Sequence, residues 1–136
     1  MADVVQAFVR ALAKLEREGD VETIGALFAD ACEVGNAVLL EPLHGKAAAR
    51  AFWKQYRDAF GTIRSTFRAV VEGEGQAALE WTSTGTSRGG ETFSYGGVSV
   101  LDFEDGKVTR FMAYFDPGEL DVVYRGDPYA TGPGVH

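Results

Sequence analysis

The C-terminal half of the chain consists of long β-rich runs that follow one another with only short turns between them. The runs cover residues 63–72, 76–87, 92–103 and 107–116. Each of the three intervening turns contains glycine, which is typical of hairpin connections. Strands joined by consecutive hairpins lie side by side in opposite directions. This half of the chain therefore predicts a mostly antiparallel meander.

The N-terminal half has a different period, because its apolar residues recur at the spacing of a helix. The first stripe consists of Val5, Phe8, Val9, Leu12 and Leu15. Arg10, Lys14, Glu16 and Arg17 are expected on the opposite, polar side of this helix. Gly19 is expected to end the helix, and Asp20 to cap a short second one.

A strand and a third helix are predicted before the meander begins. Residues 32–38 alternate as a strand does, and residues 46–60 carry Phe52, Tyr56 and Phe60 on one helical stripe. Asp116, directly before Pro117, is expected to cap a final helical turn.

Helices first and a long sheet afterwards indicate an α+β fold. We expect a cone-shaped, curved and mostly antiparallel sheet, wrapped over three N-terminal helices and enclosing a pocket. The glycines at positions 85, 96 and 97 suit the bends that such a sheet requires. Residues 1–125 are expected to form one domain, and residues 126–136 a flexible C-terminal tail.

Charge and cysteine content exclude several classes of function. The formal net charge of −7 argues against nucleic-acid and membrane partners, because both are polyanionic. Cys32 is the single cysteine, and the two histidines, His44 and His136, are far apart, so neither a disulfide nor a metal site is expected. The first residues do not have the pattern of a signal peptide, and we expect a cytoplasmic protein.

Three segments carry a resemblance to a known superfamily. They are LFADACEV at residues 27–34, EPLHGKAAARAF at residues 41–52, and EDGKVTRF at residues 104–111 running into Tyr114 and Phe115. With these segments in this order, the chain resembles the nuclear transport factor 2-like, or SnoaL-like, superfamily over roughly residues 5–120. This superfamily includes ketosteroid isomerases, limonene-epoxide hydrolases and polyketide cyclases, and the resemblance implies their cystatin-like α+β barrel.

The catalytic sets of those relatives are largely missing from this chain. Where ketosteroid isomerases have a basic aspartate and a tyrosine, the matching residues are Asn36 and Phe8. Where epoxide hydrolases have an arginine and two aspartates, the matching residues are Glu80, Thr82 and Ala113. The resemblance therefore implies the fold but neither of these two reactions by its usual residues.

The same resemblance implies which side chains face the pocket. Glu80 is the candidate acid or base, with Tyr95 and Asn36 as assisting catalytic residues. The substrate-binding residues are expected to be Val34, Thr82, Phe111, Ala113, Phe115, Tyr56 and Phe8. Two alternatives remain open: Glu80 could instead form a surface ion pair with a nearby arginine, and Tyr95 could serve only as a wall residue.

The opposite face of the sheet is predicted to be apolar. Its expected members are Trp81, Val100, Met112 and Tyr114, and such a face usually marks an interface. We therefore expect a symmetric homodimer formed through this face. The alternative is that residues 120–124 cover part of it.

The leading hypothesis is a cofactor-independent isomerase, cyclase or hydratase that acts by acid/base chemistry on a small, apolar, carbonyl-bearing molecule. One rival is a non-catalytic module that holds a hydrophobic ligand in the same pocket. A second rival is a dimeric protein-interaction scaffold that uses the sheet face.

Overall fold

The computed structural model describes residues 3–125 and has the expected α+β architecture. The helical elements are α1 (Asp3–Glu18), α2 (Val21–Gly25), α3 (Lys46–Asp58), a 3₁₀ turn (Pro117–Leu120) and α4 (Asp121–Arg125). The strands are β1 (Phe28–Asn36), β2 (Leu43–His44), β3 (Phe60–Gly73), β4 (Gln76–Ser87), β5 (Thr92–Glu104) and β6 (Lys107–Phe115). The predicted tail, residues 126–136, lies outside the described residues.

The six strands form one curved, unclosed sheet in the order β2-β1-β6-β5-β4-β3. The three predicted hairpins are confirmed, because β3, β4, β5 and β6 pair antiparallel with their neighbours in the chain. Only β1 departs from this pattern, since it pairs parallel with β6. Glycines 75, 90 and 106 have φ angles of 74°, 92° and 76° in the hairpin turns, a backbone region that glycine adopts without steric cost.

Local signals define the first helical turns as expected. Gly19, with φ of 73°, donates its N–H to the carbonyl of Leu15 and ends α1. Asp20 caps α2, because its carboxylate accepts from the N–H of Thr23 at 3.1 Å and from the hydroxyl of Thr23 at 2.7 Å. Lys14 also lies 3.2 Å from this carboxylate, so the same group links α1 to α2.

Aromatic packing holds the helices on the inner face of the sheet. The ring centroid of Trp53 in α3 lies 4.9 Å from that of Phe111 in β6 and 5.9 Å from that of Phe8 in α1. The strand predicted at residues 32–38 begins four residues earlier, because Phe28 is fully buried in this core and pairs with Val108 of β6. None of the helices among residues 3–125 is long and apolar enough to cross a membrane.

The orientation predicted for β4 is wrong. Leu79 and Trp81 are buried on the inner face, whereas Glu80 and Thr82 are exposed on the outer face. The physical reason lies in the strand itself, because its large apolar residues Leu79 and Trp81 occupy odd positions, whereas Glu80 and Thr82 occupy even ones. A two-residue period gives one face to each set, and the apolar set is the one that packs against the core.

The C-terminal segment does not cover the outer face, contrary to the alternative considered above. Leu120 and Val123 are buried in a second hydrophobic cluster that includes Trp81 and Tyr95. The segment therefore closes one end of the cone from inside. Without Trp81, the outer face keeps Val98 and Tyr114, which are 37% and 52% exposed, beside the half-buried Val100 and Met112.

The Asp20 cap generates a prediction about acid stability. Its hydrogen bonds to Thr23 and the nearby Lys14 lower the pKa of Asp20 from 3.8 to about 2. A lowered pKa means that the cap stabilises the fold above pH 3.8 and that this contribution is lost as the pH falls through about 2. We expect Asp20→Ala to lower the urea midpoint at pH 7 and to approach the wild type only below pH 2.

The variant Asp20→Asn serves as the control, because its amide keeps an acceptor for Thr23 but cannot titrate. Its midpoint at pH 7 should fall between those of the wild type and Asp20→Ala. A gap between wild type and Asp20→Ala that stays constant from pH 7 down to the acid limit would contradict this account.

Candidate functional site

A cavity of about 200 Å³ lies between the helices and the inner face of the sheet. Its wall is mainly aromatic, and the lining side chains include Phe8, Phe52, Trp53, Tyr56, Phe60, Trp81, Tyr95, Phe111 and Phe115. Smaller polar residues, among them Asn36, Ser65, Ser83 and Ser99, interrupt this wall. Asp58 and Arg88 also belong to the lining and are exposed, so they mark its open side.

A glycine in β5 makes room for the largest wall residue on the sheet. A Cβ atom at Gly97 would lie 2.7 Å from Cζ2 of Trp81 and 2.3 Å from the carbonyl oxygen of Tyr114. Only a residue without a side chain allows the indole to lie across β5. In that position Nε1 of Trp81 donates to Oγ of Ser99 at 2.9 Å, which satisfies a buried N–H and fixes the ring.

The most unusual feature beside the cavity is a buried carboxylate on α1. Glu16 is 5% exposed, and its Oε1 accepts from the backbone N–H of Ser65 at 2.8 Å. Its Oε2 accepts from the hydroxyls of Tyr56 and Ser65, both at 2.6 Å. Ser65 Oγ in turn lies 2.6 Å from Oγ of Ser83. We refer to Glu16, Tyr56, Ser65 and Ser83 as the Glu16 network.

Tyr56 connects this network to the cavity. Burial raises the pKa of the Tyr56 phenol well above its ordinary value of 10.0, and the neighbouring Tyr95 and Glu16 raise it further. The phenol is therefore neutral at physiological pH and carries one proton, which it donates to Glu16.

Two further polar groups belong to residues of the wall and differ in how they are satisfied. Nε1 of Trp53 is buried and has no hydrogen-bond partner within residues 3–125, although a buried N–H normally has one. Oδ1 of Asn36 accepts from the N–H groups of Val38 and Leu39 at 3.0 and 3.2 Å, which shapes the turn after β1. These bonds leave the NH₂ group of Asn36 as the part that can contact a ligand.

The structure brings most of the predicted site residues together. Those at the cavity wall are Phe8, Asn36, Tyr56, Tyr95, Phe111, Ala113 and Phe115. Val34 is fully buried in the core and is not part of the wall.

The placement of Glu80 and Thr82 in the cavity is wrong. Both lie on the outer face, and Oε1 of Glu80 is 3.8 Å from Nε of Arg68. The surface ion pair, which was the alternative for Glu80, is the observed state. Glu80 is therefore too far from the cavity wall to exchange a proton with a ligand there.

Sequence reasoning missed the Glu16 network. Glu16 was expected on the polar side of α1, although it follows Phe8 and Leu12 at intervals of four and so continues their buried stripe. That interval is the signal that could have found it. Ser83 was missed because the orientation of β4 was reversed, and no feature of the sequence singles out Ser65.

Two further predictions concern a metal site and a partner subunit. Within residues 3–125 no three His, Cys, Asp or Glu side chains are grouped so that they could hold a metal ion. The homodimer stays a prediction, and its surface now consists of Val100, Met112 and Tyr114 without Trp81.

Comparisons with known proteins agree with the observed fold. The family model described as the SnoaL-like domain matches residues 5–111. A search of curated proteins finds no significant match.

Three solved structures illustrate the similarity of fold. TerC, co-crystallised with polyporic acid, is 21% identical with a TM-score of 0.77, over 90% of this chain and 98% of TerC. An epoxide hydrolase of the limonene type from M. tuberculosis is 20% identical with a TM-score of 0.68, over 90% and 88% of the two chains. A protein of ketosteroid isomerase-like fold from Catenulispora acidiphila DSM 44928, in complex with trimethylamine, is 16% identical with a TM-score of 0.73, over 88% and 89%.

The contrast between the two glutamates generates a stability prediction. Glu16→Ala removes the acceptor of the Tyr56 and Ser65 donors and should cost about 3 kcal/mol of unfolding free energy, because buried donors would lose their partners. Glu80→Ala removes one exposed ion pair and should cost at most about 1 kcal/mol. Urea denaturation of both variants tests this, and equal costs would contradict the assigned roles.

Proposed function

The chain belongs to the SnoaL-like domain family, and from that premise we propose that it is a cofactor-independent enzyme of proton transfer. Its substrate would be a small, largely apolar compound with a carbonyl group, and the reaction an isomerisation, cyclisation or hydration. The acid/base groups would be Tyr56 and Glu16, in place of Glu80.

The observation that supports this proposal is a carboxylate–phenol pair at the wall of an otherwise aromatic cavity. Tyr56 and Glu16 share a hydrogen bond of 2.6 Å, and Tyr56 lines the cavity. A buried carboxylate needs polar partners, and this one has them on β3 and α3. A pair of this kind can take up and return a proton without an added cofactor.

The size of the cavity limits the substrate. A volume of about 200 Å³ is below the roughly 300–1,000 Å³ of pockets for drug-sized ligands. It is above the roughly 150 Å³ of an engineered apolar cavity that admits benzene. The fitting ligand is therefore about one substituted six-membered ring in size, unless part of it extends past Asp58 and Arg88.

The proton transfer can be written with named atoms. A proton leaves the carbon next to the substrate carbonyl and binds to Oη of Tyr56, while the phenol proton of Tyr56 moves to Oε2 of Glu16. The resulting enolate oxygen would accept a hydrogen bond from the NH₂ group of Asn36. Return of the proton at another carbon gives an isomer, and both residues regain their starting forms.

A second candidate is non-catalytic binding of the same kind of ligand. It is favoured by the three hydrogen bonds that Glu16 already accepts, because they engage its oxygens within the fold. The two candidates share the cavity and differ only in turnover.

Turnover is tested by incorporation of solvent deuterium. Purified protein is incubated in D₂O with a panel of single-ring enolisable ketones, and exchange at the carbon next to the carbonyl is followed by NMR. We expect exchange above the buffer rate for at least one ketone, and a loss of about 10²–10⁴-fold in Tyr56→Phe.

The matched control for that experiment is Tyr114→Phe, which removes a hydroxyl from the exposed outer face. It should keep the wild-type rate. Saturable binding of the ketones without exchange would support the binding module and reject the enzyme.

Whether ligands bind in this cavity is tested by a substitution that fills part of it. Ala113 is at the wall, so Ala113→Leu should occupy space that a ligand needs and weaken binding of single-ring ligands at least tenfold. Ala78→Leu makes the same change on the outer face and should leave affinity unchanged. Calorimetric titration measures both, and undiminished binding to Ala113→Leu would place the ligand elsewhere.

A further inference from the structure

We propose that the ligand of this cavity carries a hydroxyl, enol or N–H group, and that this group donates its hydrogen to the oxygens of Tyr56 and Ser83. The inference rests on the proposed function, because it concerns the same cavity. It adds the chemical class of the ligand and the residues that select it.

The inference follows from counting protons in the Glu16 network. The carboxylate of Glu16 has no proton to give, so every group that bonds to it must be the donor. Tyr56 has one hydroxyl proton and donates it to Oε2 of Glu16 at 2.6 Å. Ser65 also has one hydroxyl proton, which it donates to the same oxygen at 2.6 Å.

The direction of the remaining bond is then fixed. Oγ of Ser65 and Oγ of Ser83 lie 2.6 Å apart, and geometry alone would allow either to be the donor. Because the proton of Ser65 is already on the bond to Glu16, Ser83 must donate to Ser65. The hydroxyl protons of Tyr56 and Ser83 therefore both point along the network, and neither is available to a ligand.

Tyr56 and Ser83 therefore present only oxygen lone pairs to the cavity. Tyr56 and Ser83 both line it, and each hydroxyl oxygen can accept hydrogen bonds while its proton is engaged. A ligand oxygen without a hydrogen would place lone pairs against lone pairs there. A ligand O–H or N–H would instead complete the network, so Glu16 selects the ligand without touching it.

Glu16 is thus a positioning residue. Its burial keeps the hydroxyl protons of Tyr56 and Ser65 directed toward its carboxylate. At 5% exposure it is largely shielded from solvent, and its bonds link it to α3, to β3 and, through Ser65, to β4. By contrast, Asp58 and Arg88 are exposed at the open side of the cavity.

The test uses three probes of one size class that differ in a single substituent. At the position that varies, the hydroxyl of 4-nitrophenol is a donor and an acceptor, the methoxy group of 4-nitroanisole is an acceptor only, and the methyl group of 4-nitrotoluene is neither. Titrations are made with the whole chain at a pH at which the phenol is neutral. We expect wild type to bind 4-nitrophenol roughly tenfold more tightly than the other two, which should bind alike.

Three variants test which residues cause the preference for 4-nitrophenol. In Glu16→Gln the side-chain amide can donate, so hydroxyl protons are released toward the cavity, and 4-nitroanisole should bind as tightly as 4-nitrophenol or more tightly. Tyr56→Phe removes one of the acceptors and should reduce the preference for the phenol without relying on the stability of the Glu16 variant. Glu80→Gln, the matched control on the outer face, should keep the wild-type preference.

The outcomes separate this inference from the proposed function. Equal binding of all three probes to the wild type, or a preference for the phenol that survives in Glu16→Gln and Tyr56→Phe, would overturn the inference and leave the cavity as a ligand site. Binding of none of the probes would overturn the inference together with the proposed substrate class. Loss of selectivity in the two network variants alone would support it.

Discussion

The contact between Trp53 of α3 and Phe111 of β6 is the interaction on which the rest of the structure depends. Their rings lie 4.9 Å apart in an edge-to-face arrangement, and Phe8, Phe28 and Phe52 pack around the same indole. An open sheet with one apolar face is stable only when another layer covers that face. These rings join the helical layer to the sheet, and their bulk also keeps the two layers from closing completely over the remaining cavity.

The Glu16 network brings a buried charge into this apolar enclosure. Glu16 comes from α1, Tyr56 from α3, and Ser65 and Ser83 from β3 and β4, so the network joins both layers. A buried carboxylate costs free energy unless its lone pairs are used, and here three donors use them. The same bonds that offset this cost also fix the direction of every proton in the network. Stability and ligand selection therefore have one physical origin.

The positions of Glu16 and Glu80 show that a resemblance to known proteins does not by itself assign the site residues. Position 80 matches a polar catalytic position of epoxide hydrolases, and that match outweighed the alternation of β4 itself. The alternation was the better guide, since Leu79 and Trp81 are buried and Glu80 pairs with Arg68 outside. Likewise, the interval from Phe8 and Leu12 to Glu16 indicates a buried position, whereas the charge of Glu16 suggested an exposed one. In both cases the spacing of residues predicted the position of the side chain more reliably than its chemical type.

The sequence by itself determined the order and type of the elements, the three hairpins, the Asp20 cap and the aromatic composition of the interior. These features depend on residues close together in the chain, where period, turn chemistry and capping act locally. Only the tertiary structure decided which polar groups meet at the cavity. Tyr56 and Ser65 are 40 and 49 residues away from Glu16, and no local pattern records such a distance. The indole of Trp81 likewise reaches Ser99 only because Gly97 lies between them on a neighbouring strand, a condition set by the pairing of β4 with β5.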